Sequence, residues 1–253
     1  MLEMSLSHHE SESGPPRLDA ALAVLHSPSA KATYLEQDRL VYFDRLLPPG
    51  LLAPLLEDLE RVRPAVRRKS LPGYKSSGSV SHHTLQDHAP SIIALHRSPE
   101  LVAALSALAG VELQPCPESD PHGAAIYFYT EPGDRIGWHY DSSHYKGARY
   151  TVLIGLVERS SSRLICRLHE RDPARRGQRE LRLATEPGTL VFFDGDALYH
   201  SVSALGVDEE RVALTLVYVT DPGMSPLRRV VSNVKDATAY FGFKEMFKNR
   251  DRL

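Results

Sequence analysis

Cysteine is scarce: Cys116 and Cys166 are the only two in 253 residues, and they lie far apart. That excludes a disulfide framework and any C-x-x-C metal or redox motif, and it suits a reduced, cytoplasmic chain. Charge of one sign is also missing, because 30 Lys and Arg against 32 Asp and Glu leave a formal net charge of −2. The balance offers no electrostatic footprint for nucleic acid or for an anionic membrane. No long hydrophobic run exists either. The longest clean apolar stretch, Thr-Val-Leu-Ile-Gly-Leu-Val at 151–157, is strand-sized, against the roughly 20 residues of a membrane span. Residues 1–17 lack the basic start and apolar stretch of a signal peptide and read as a flexible polar tail.

What the chain does contain is enough apolar residue, 42%, to fold, together with 25% charged residue. Its length fits one large domain, placed at 18–253. In the first half, apolar spacing predicts helices at Leu18–His26 and after Pro48-Pro49-Gly50, where Leu51, Leu52, Leu55, Leu56 and Leu59 form a stripe. A further helix is predicted at 98–109, capped by Ser98 and closed by Gly110. A strand is predicted at Leu40–Phe43. The basic, Gly/Ser-rich segment 67–83 has no helical period and reads as a loop able to act as a lid. From about 111 to 221 the texture is short strands separated by turns, at 124–130, 136–141, 150–157, 164–168, 180–184, 189–193, 200–202 and 211–219. A helix is predicted again near 237–247. The fold class is therefore α+β, a jelly-roll core buttressed by N-terminal helices.

Twelve histidines make metal chemistry worth testing. Within Gly137-Trp-His-Tyr-Asp141, alternation on a strand sends His139 and Asp141 to one face and Trp138 and Tyr140 to the other. His200, beyond the apolar strand 189–193 and its Asp-Gly turn, supplies a third ligand. In the strand after it, Arg211, Ala213, Thr215 and Val217 share a face, and a buried arginine there calls for an anion. Two imidazoles, one carboxylate and open positions make the facial triad of non-haem Fe(II) oxygenases.

On His139-x-Asp141, the distant His200 and the downstream Arg211, the sequence resembles the Fe(II)/2-oxoglutarate-dependent oxygenase superfamily. The resemblance covers about 124–221 and implies a double-stranded β-helix, cupin-like core. It further implies Fe(II) on His139, Asp141 and His200, 2-oxoglutarate as co-substrate with its far carboxylate on Arg211, and O2 as oxidant. Succinate and CO2 would be released, and an unactivated C–H of a small molecule hydroxylated. Tyr129 or Tyr127, on the strand before the triad, would hydrogen-bond 2-oxoglutarate. Ala213 stands where the family often has a serine, and Thr215 is the candidate replacement. Length and the helical first half look most like the free-amino-acid hydroxylase and halogenase group, whose halogenases carry a small residue where Asp141 stands. An amino acid or natural-product intermediate is the substrate class this implies.

Substrate contacts are sought in the loop after the triad, at Tyr145, Lys146 and Arg149, and in the lid-like segment at His82 and His83. Two other readings stay open. One is a peptide hydroxylase of the prolyl-hydroxylase type. The other is a Zn-dependent hydrolase or cupin-like binding protein using the same ligands, for which Arg211 would have no purpose.

Overall fold

A computed structural model describes residues 16–143 and 145–223. Most of the N-terminal tail and the helix predicted at 237–247 lie outside those residues. The helices are α1 (Leu18–Leu22), running into a 3-10 turn at Ala23–His26, α2 (Pro28–Glu36), α3 (Pro49–Val62), α4 (His82–His88), α5 (Pro90–Arg97) and α6 (Pro99–Ala109). The strands are β1 (Leu40–Phe43), β2 (Arg67–Leu71), β3 (Lys75–Val80), β4 (Gln114–Pro115), β5 (Ala124–Tyr129) and β6 (Arg135–His139). They continue with β7 (Arg149–Arg159), β8 (Leu164–Leu168), β9 (Arg179–Leu183), β10 (Leu190–Asp194), β11 (Tyr199–Val202) and β12 (Glu210–Val219).

The predicted helices form for the expected reasons. α3 buries Leu52, Leu55, Leu59 and Val62, its apolar stripe, against the sheet and its neighbours. Ser98 accepts the Leu101 N–H at the start of α6, and Gly110, at φ 78°, ends it in the left-handed region. α2 has no apolar face to betray it. What starts it is Ser27, whose Oγ accepts the Ala30 N–H, followed by Pro28.

Antiparallel pairing runs β1-β10-β7-β12-β5-β3-β6-β11-β8-β9, with β2 on β3 and β4 on β12. β1-β10-β7-β12-β5 forms one wall and β6-β11-β8-β9 the other, the two curling over an interior between them. This is the double-stranded β-helix, with the helices covering its outer face. The larger apolar cluster joins α1–α6 to that face through Ile126, Phe128, Val152, Ile154, Phe192, Leu214 and Leu216. A smaller one, with Leu164, Cys166, Leu168, Val191 and Phe193, fills the interior.

The segment 67–83 is not a lid. It is the β2–β3 hairpin and the first turn of α4, and β3 lies inside the sheet. Gly78, Ser79 and Val80 pair with Phe128, Tyr127 and Ile126 of β5, while Lys75 and Ser76 pair with Ile136 and Arg135 of β6. β5 and β6 therefore lie end to end along one edge of β3, which splints the two walls. Lys75, Ser77 and Ser79 are buried on its inward face, so the strand shows none of the apolar alternation that marks a half-buried strand. A Cβ at Gly78 would come within 2.6 Å of the Val66 side chain, which explains the glycine. The sheet thus reaches upstream of the 111–221 span, taking in β1 and the β2–β3 hairpin.

The excursion between β5 and β6 is pinned by Asp134, 1% exposed. Its Oδ2 accepts the N–H groups of Thr130 and Glu131 at 2.9 and 3.0 Å. Its Oδ1 accepts Ser76 Oγ at 2.9 Å and Arg68 Nη2 at 2.6 Å, tying the turn to the hairpin.

Candidate metal and co-substrate site

β6 ends at His139, so Asp141 lies two residues beyond the strand rather than within it. The ligands still converge, because a bulge corrects the register. His200 pairs with His139 and Val202 with Ile136, two residues against three, so Ile136 and His139 both face the interior. Trp138 points out, as read from the sequence. It stacks on Tyr199 at 5.2 Å, and Tyr140 packs on Tyr199 from beside it.

Inside, His139 Nε2 is 3.5 Å and His200 Nε2 4.0 Å from Asp141 Oδ1. The three ligand atoms lie within 4.8 Å of one another, and no other such group occurs among the described residues. Each imidazole is held by its other nitrogen: His139 Nδ1 by Gly137 O at 2.8 Å, His200 Nδ1 by Leu198 O at 3.2 Å. That fixes the tautomer with Nε2 unprotonated and turned to the shared point. Asp141 Oδ2 accepts Thr151 Oγ1 at 2.8 Å, leaving Oδ1 for the metal. Burial, and then the nearness of His139, lower the His200 imidazole to about 4, so it is neutral at pH 7. Burial works to raise the Asp141 carboxylate, but its neighbours His139, His200 and Arg149 outweigh it and hold it well below the usual carboxylate range, so it is ionised. Neutral imidazoles and an anionic carboxylate are the forms that bind a divalent ion.

Arg211 is 0% exposed, and Nε, Nη1 and Nη2 all lack a hydrogen-bond partner. The nearest carboxylate is Glu158, whose Oε2 is 3.7 Å from Nε, beyond hydrogen-bond distance. Glu158 reaches that position because a second bulge, between Val212 and Ala213, shifts β7 against β12 and turns Glu158 inward opposite Arg211. A buried guanidinium with no bonded nitrogen is costly, and it is the fork that a dicarboxylate's far end would fill. The residues therefore fit both an Fe(II) ion and 2-oxoglutarate.

Tyr129 pairs directly with Arg211 across the strands, its ring centroid 5.9 Å from the guanidinium carbon. Tyr127 pairs with Ala213 and Ser79, and Lys75 Nζ lies 5.0 Å over its ring. Burial lowers the Lys75 amine to about 7. Thr215 is half-buried on the same face, level with Ala125 and Leu153.

The structure does not bring His82 and His83 to the triad. They begin α4, and the His82 ring packs edge-on to His96 at 5.7 Å, behind the inner wall. Lys146 is exposed, its N–H bonded to Gly223 O. Tyr145 is buried with Cys116, Val217 and Val219, and its hydroxyl donates to Asp120 at 2.6 Å. Arg149 stands near the triad and is treated below.

Sequence reasoning missed Thr151, Glu158, Phe193, whose ring meets His200 edge-on at 4.9 Å, and Tyr74, which meets His139 at 6.4 Å. An acid closing an otherwise apolar strand was the one available signal, at Glu158.

A model of the family Halogenase D matches residues 28–149, just under half of the chain. No curated protein matches the sequence. The fold is similar to that of the epimerase SnoN from nogalamycin biosynthesis, solved with Fe3+, alpha ketoglutarate and nogalamycin RO, at 17% identity and TM-score 0.63, over 79% of this chain and 84% of SnoN. It is similar to the alpha ketoglutarate dependent carbocyclase SnoK from the same pathway, at 19% identity and TM-score 0.62, over 83% and 90% of the two chains. A Pseudomonas putida prolyl-4-hydroxylase aligns at 16% identity and TM-score 0.57, over 78% of this chain and 99% of that one. At these identities the structures speak for the fold alone. With the partial family match, the donor triad and the buried guanidinium beside them, the chain is similar to Fe(II)/2-oxoglutarate-dependent oxygenases in its fold and in the donor set of its site.

Proposed function

We propose that this protein hydroxylates an unactivated C–H of a small molecule, an amino acid or a natural-product intermediate. His139, Asp141 and His200 would hold Fe(II), and Arg211 the far carboxylate of 2-oxoglutarate with Tyr129 alongside. The observation that carries the reading is the Arg211 guanidinium, fully buried and bonded to nothing in the same interior as the triad. When bound, iron and 2-oxoglutarate supply the oxidising chemistry from O2, with succinate and CO2 released. The chain's own residues position and exclude. Thr151 orients Asp141, the Gly137 and Leu198 carbonyls orient the imidazoles, and the apolar interior of Leu164, Cys166, Val191 and Phe193 keeps water out.

Asp141 favours oxygenation over halogenation, although the matched family is named for a halogenase. A halide ligand needs the coordination position that a carboxylate on residue 141 fills, and Oδ1 faces both Nε2 atoms. The test is an anaerobic titration of Fe(II)-loaded protein with 2-oxoglutarate. A visible metal-to-ligand charge-transfer band that is lost in His200→Ala supports the reading, and its absence from the parent protein refutes it. In saturating chloride, product mass should show added oxygen and no halogen.

A further inference from the structure

Arg149 is a second cation near the metal site, half-buried and without an ion pair among the described residues. It opens β7 on the same face as Thr151, two residues on, which bonds Asp141. The backbones around it are in close contact: Gly195 N–H donates to Arg149 O at 2.8 Å, and a Cβ at Gly195 would meet Asp141 Cβ at 2.9 Å. Its Nε is buried with no hydrogen-bond partner among the described residues, and the residue as a whole is half-buried.

Two carboxylates among the described residues lie close enough to act on Arg149 electrostatically, Asp141 and Asp120, and both are at longer range than an ion pair. Both are already engaged. Asp120 takes the His122 N–H on Oδ1 at 2.8 Å and the Tyr145 hydroxyl on Oδ2 at 2.6 Å. Asp141 takes Thr151 on Oδ2 and turns Oδ1 to the metal donors. Once a divalent ion neutralises Asp141, Arg149 keeps its charge and loses the field that balanced it. Arg211 lies eight positions from the Val219 end of β12, and Val219 is the residue paired with Arg149, so the two guanidiniums stand toward opposite ends of the interior. One anion cannot serve as the short-range partner of both.

We propose that Arg149 is a specificity-determining residue that docks a carboxylate of the primary substrate, so that the enzyme takes carboxylic acids and rejects their neutral amides. This rests on the oxygenase reading above and assigns the substrate's anchoring group. The planar fork suits two parallel hydrogen bonds to a carboxylate.

The experiment uses the full chain loaded with Fe(II). A panel of amino, hydroxy and acylamino acids of graded length, each paired with its primary amide, is scored for stimulation of succinate release from 2-oxoglutarate. The 2-oxoglutarate charge-transfer band is recorded in parallel for the parent, Arg149→Gln and Arg149→Lys. The expected result is acids stimulating and amides not. Arg149→Gln should keep the band but raise the half-saturating acid concentration roughly ten- to hundredfold and erase the acid preference. Arg149→Lys, with the charge but not the fork, should fall between. Amides matching their acids, or no pair showing an acid preference, overturns the assignment while an intact parental band leaves the oxygenase reading standing. Loss of the band in Arg149→Gln also overturns it, because the residue would then serve 2-oxoglutarate. A parental protein with no band refutes the oxygenase reading instead.

Discussion

Replacing Arg211 by methionine separates an anion clamp from a structural ion pair. In the unliganded protein its three guanidinium nitrogens are unbonded, and Glu158 stands 3.7 Å away. Glu158 does not depend on it: Ser160 Oγ donates to Oε1 at 2.5 Å, and the Thr185 N–H and hydroxyl both donate to Oε2 at 3.3 Å. Removing the guanidinium should therefore cost the apo fold little. With Glu158→Gln added, so that no lone charge stays buried, unfolding free energy should lie within about 1 kcal/mol of the parent. Binding of 2-oxoglutarate should suffer far more. Truncating one partner of a buried charge-assisted pair costs about 2–5 kcal/mol, a rise in Kd of roughly thirtyfold to several thousandfold. Anaerobic titration of the charge-transfer band gives Kd, and 2-oxopentanoate, which lacks the far carboxylate, provides the control. The parent should bind it much more weakly than 2-oxoglutarate, and Arg211→Met should bind the two alike. A variant that binds 2-oxoglutarate as the parent does, or a parent blind to the missing carboxylate, refutes the reasoning.

Thr151→Val removes the bond that holds Asp141 Oδ2 and should weaken Fe(II) binding roughly ten- to hundredfold, read by competition with a chelating dye. Asp134→Ala leaves four donors at the β5–β6 turn without their acceptor and should destabilise the fold by roughly 3–5 kcal/mol in urea unfolding; a change under 1 kcal/mol would show that the turn is not pinned there. Burial lowers His82 from 6.5 to about 3 and His96 from 6.5 to about 4, so the unfolded chain binds more protons than the folded one across the intervening range. Stability from these two groups is full above pH 6.5 and lost as pH falls, by about 1.4 kcal/mol for each between pH 7.5 and 5.5. His82→Leu should remove its own share of that acid slope in paired urea melts at the two pH values, and an unchanged slope would count against a neutral buried His82.

The triad was legible because it interrupts apolar strands. His139, His200 and Arg211 are titratable residues on strands otherwise rich in apolar or aromatic side chains, and no packing role explains them. What escaped reading did so for identifiable physical reasons. Alternation assumes unbroken register, so it cannot see that a bulge turns Glu158 toward Arg211. β3 faces inward with Lys75, Ser77 and Ser79 and has glycine at its centre, a composition that reads as loop. The same misreading made His82 and His83 look like lid residues, although they are a helix start packed against His96. Thr151 touches Asp141 from the next strand, and no local pattern announces a contact made across a loop.

The placement of β3 also constrains how the protein assembles. The chain segment carrying His139 lies on β11 along one edge, and its other edge is filled only when Lys75 and Ser76, some sixty positions earlier, are seated against Ile136 and Arg135. Closing such distant pairings is slow, because loop entropy is spent before the contacts form. Residues 124–219 alone contain all three candidate metal donors but not β3, the strand that bridges β5 and β6, so a fragment cut there should hold metal more weakly than the full chain. Metal uptake in a refolding experiment would consequently trail the recovery of secondary structure, reporting the moment the two walls lock.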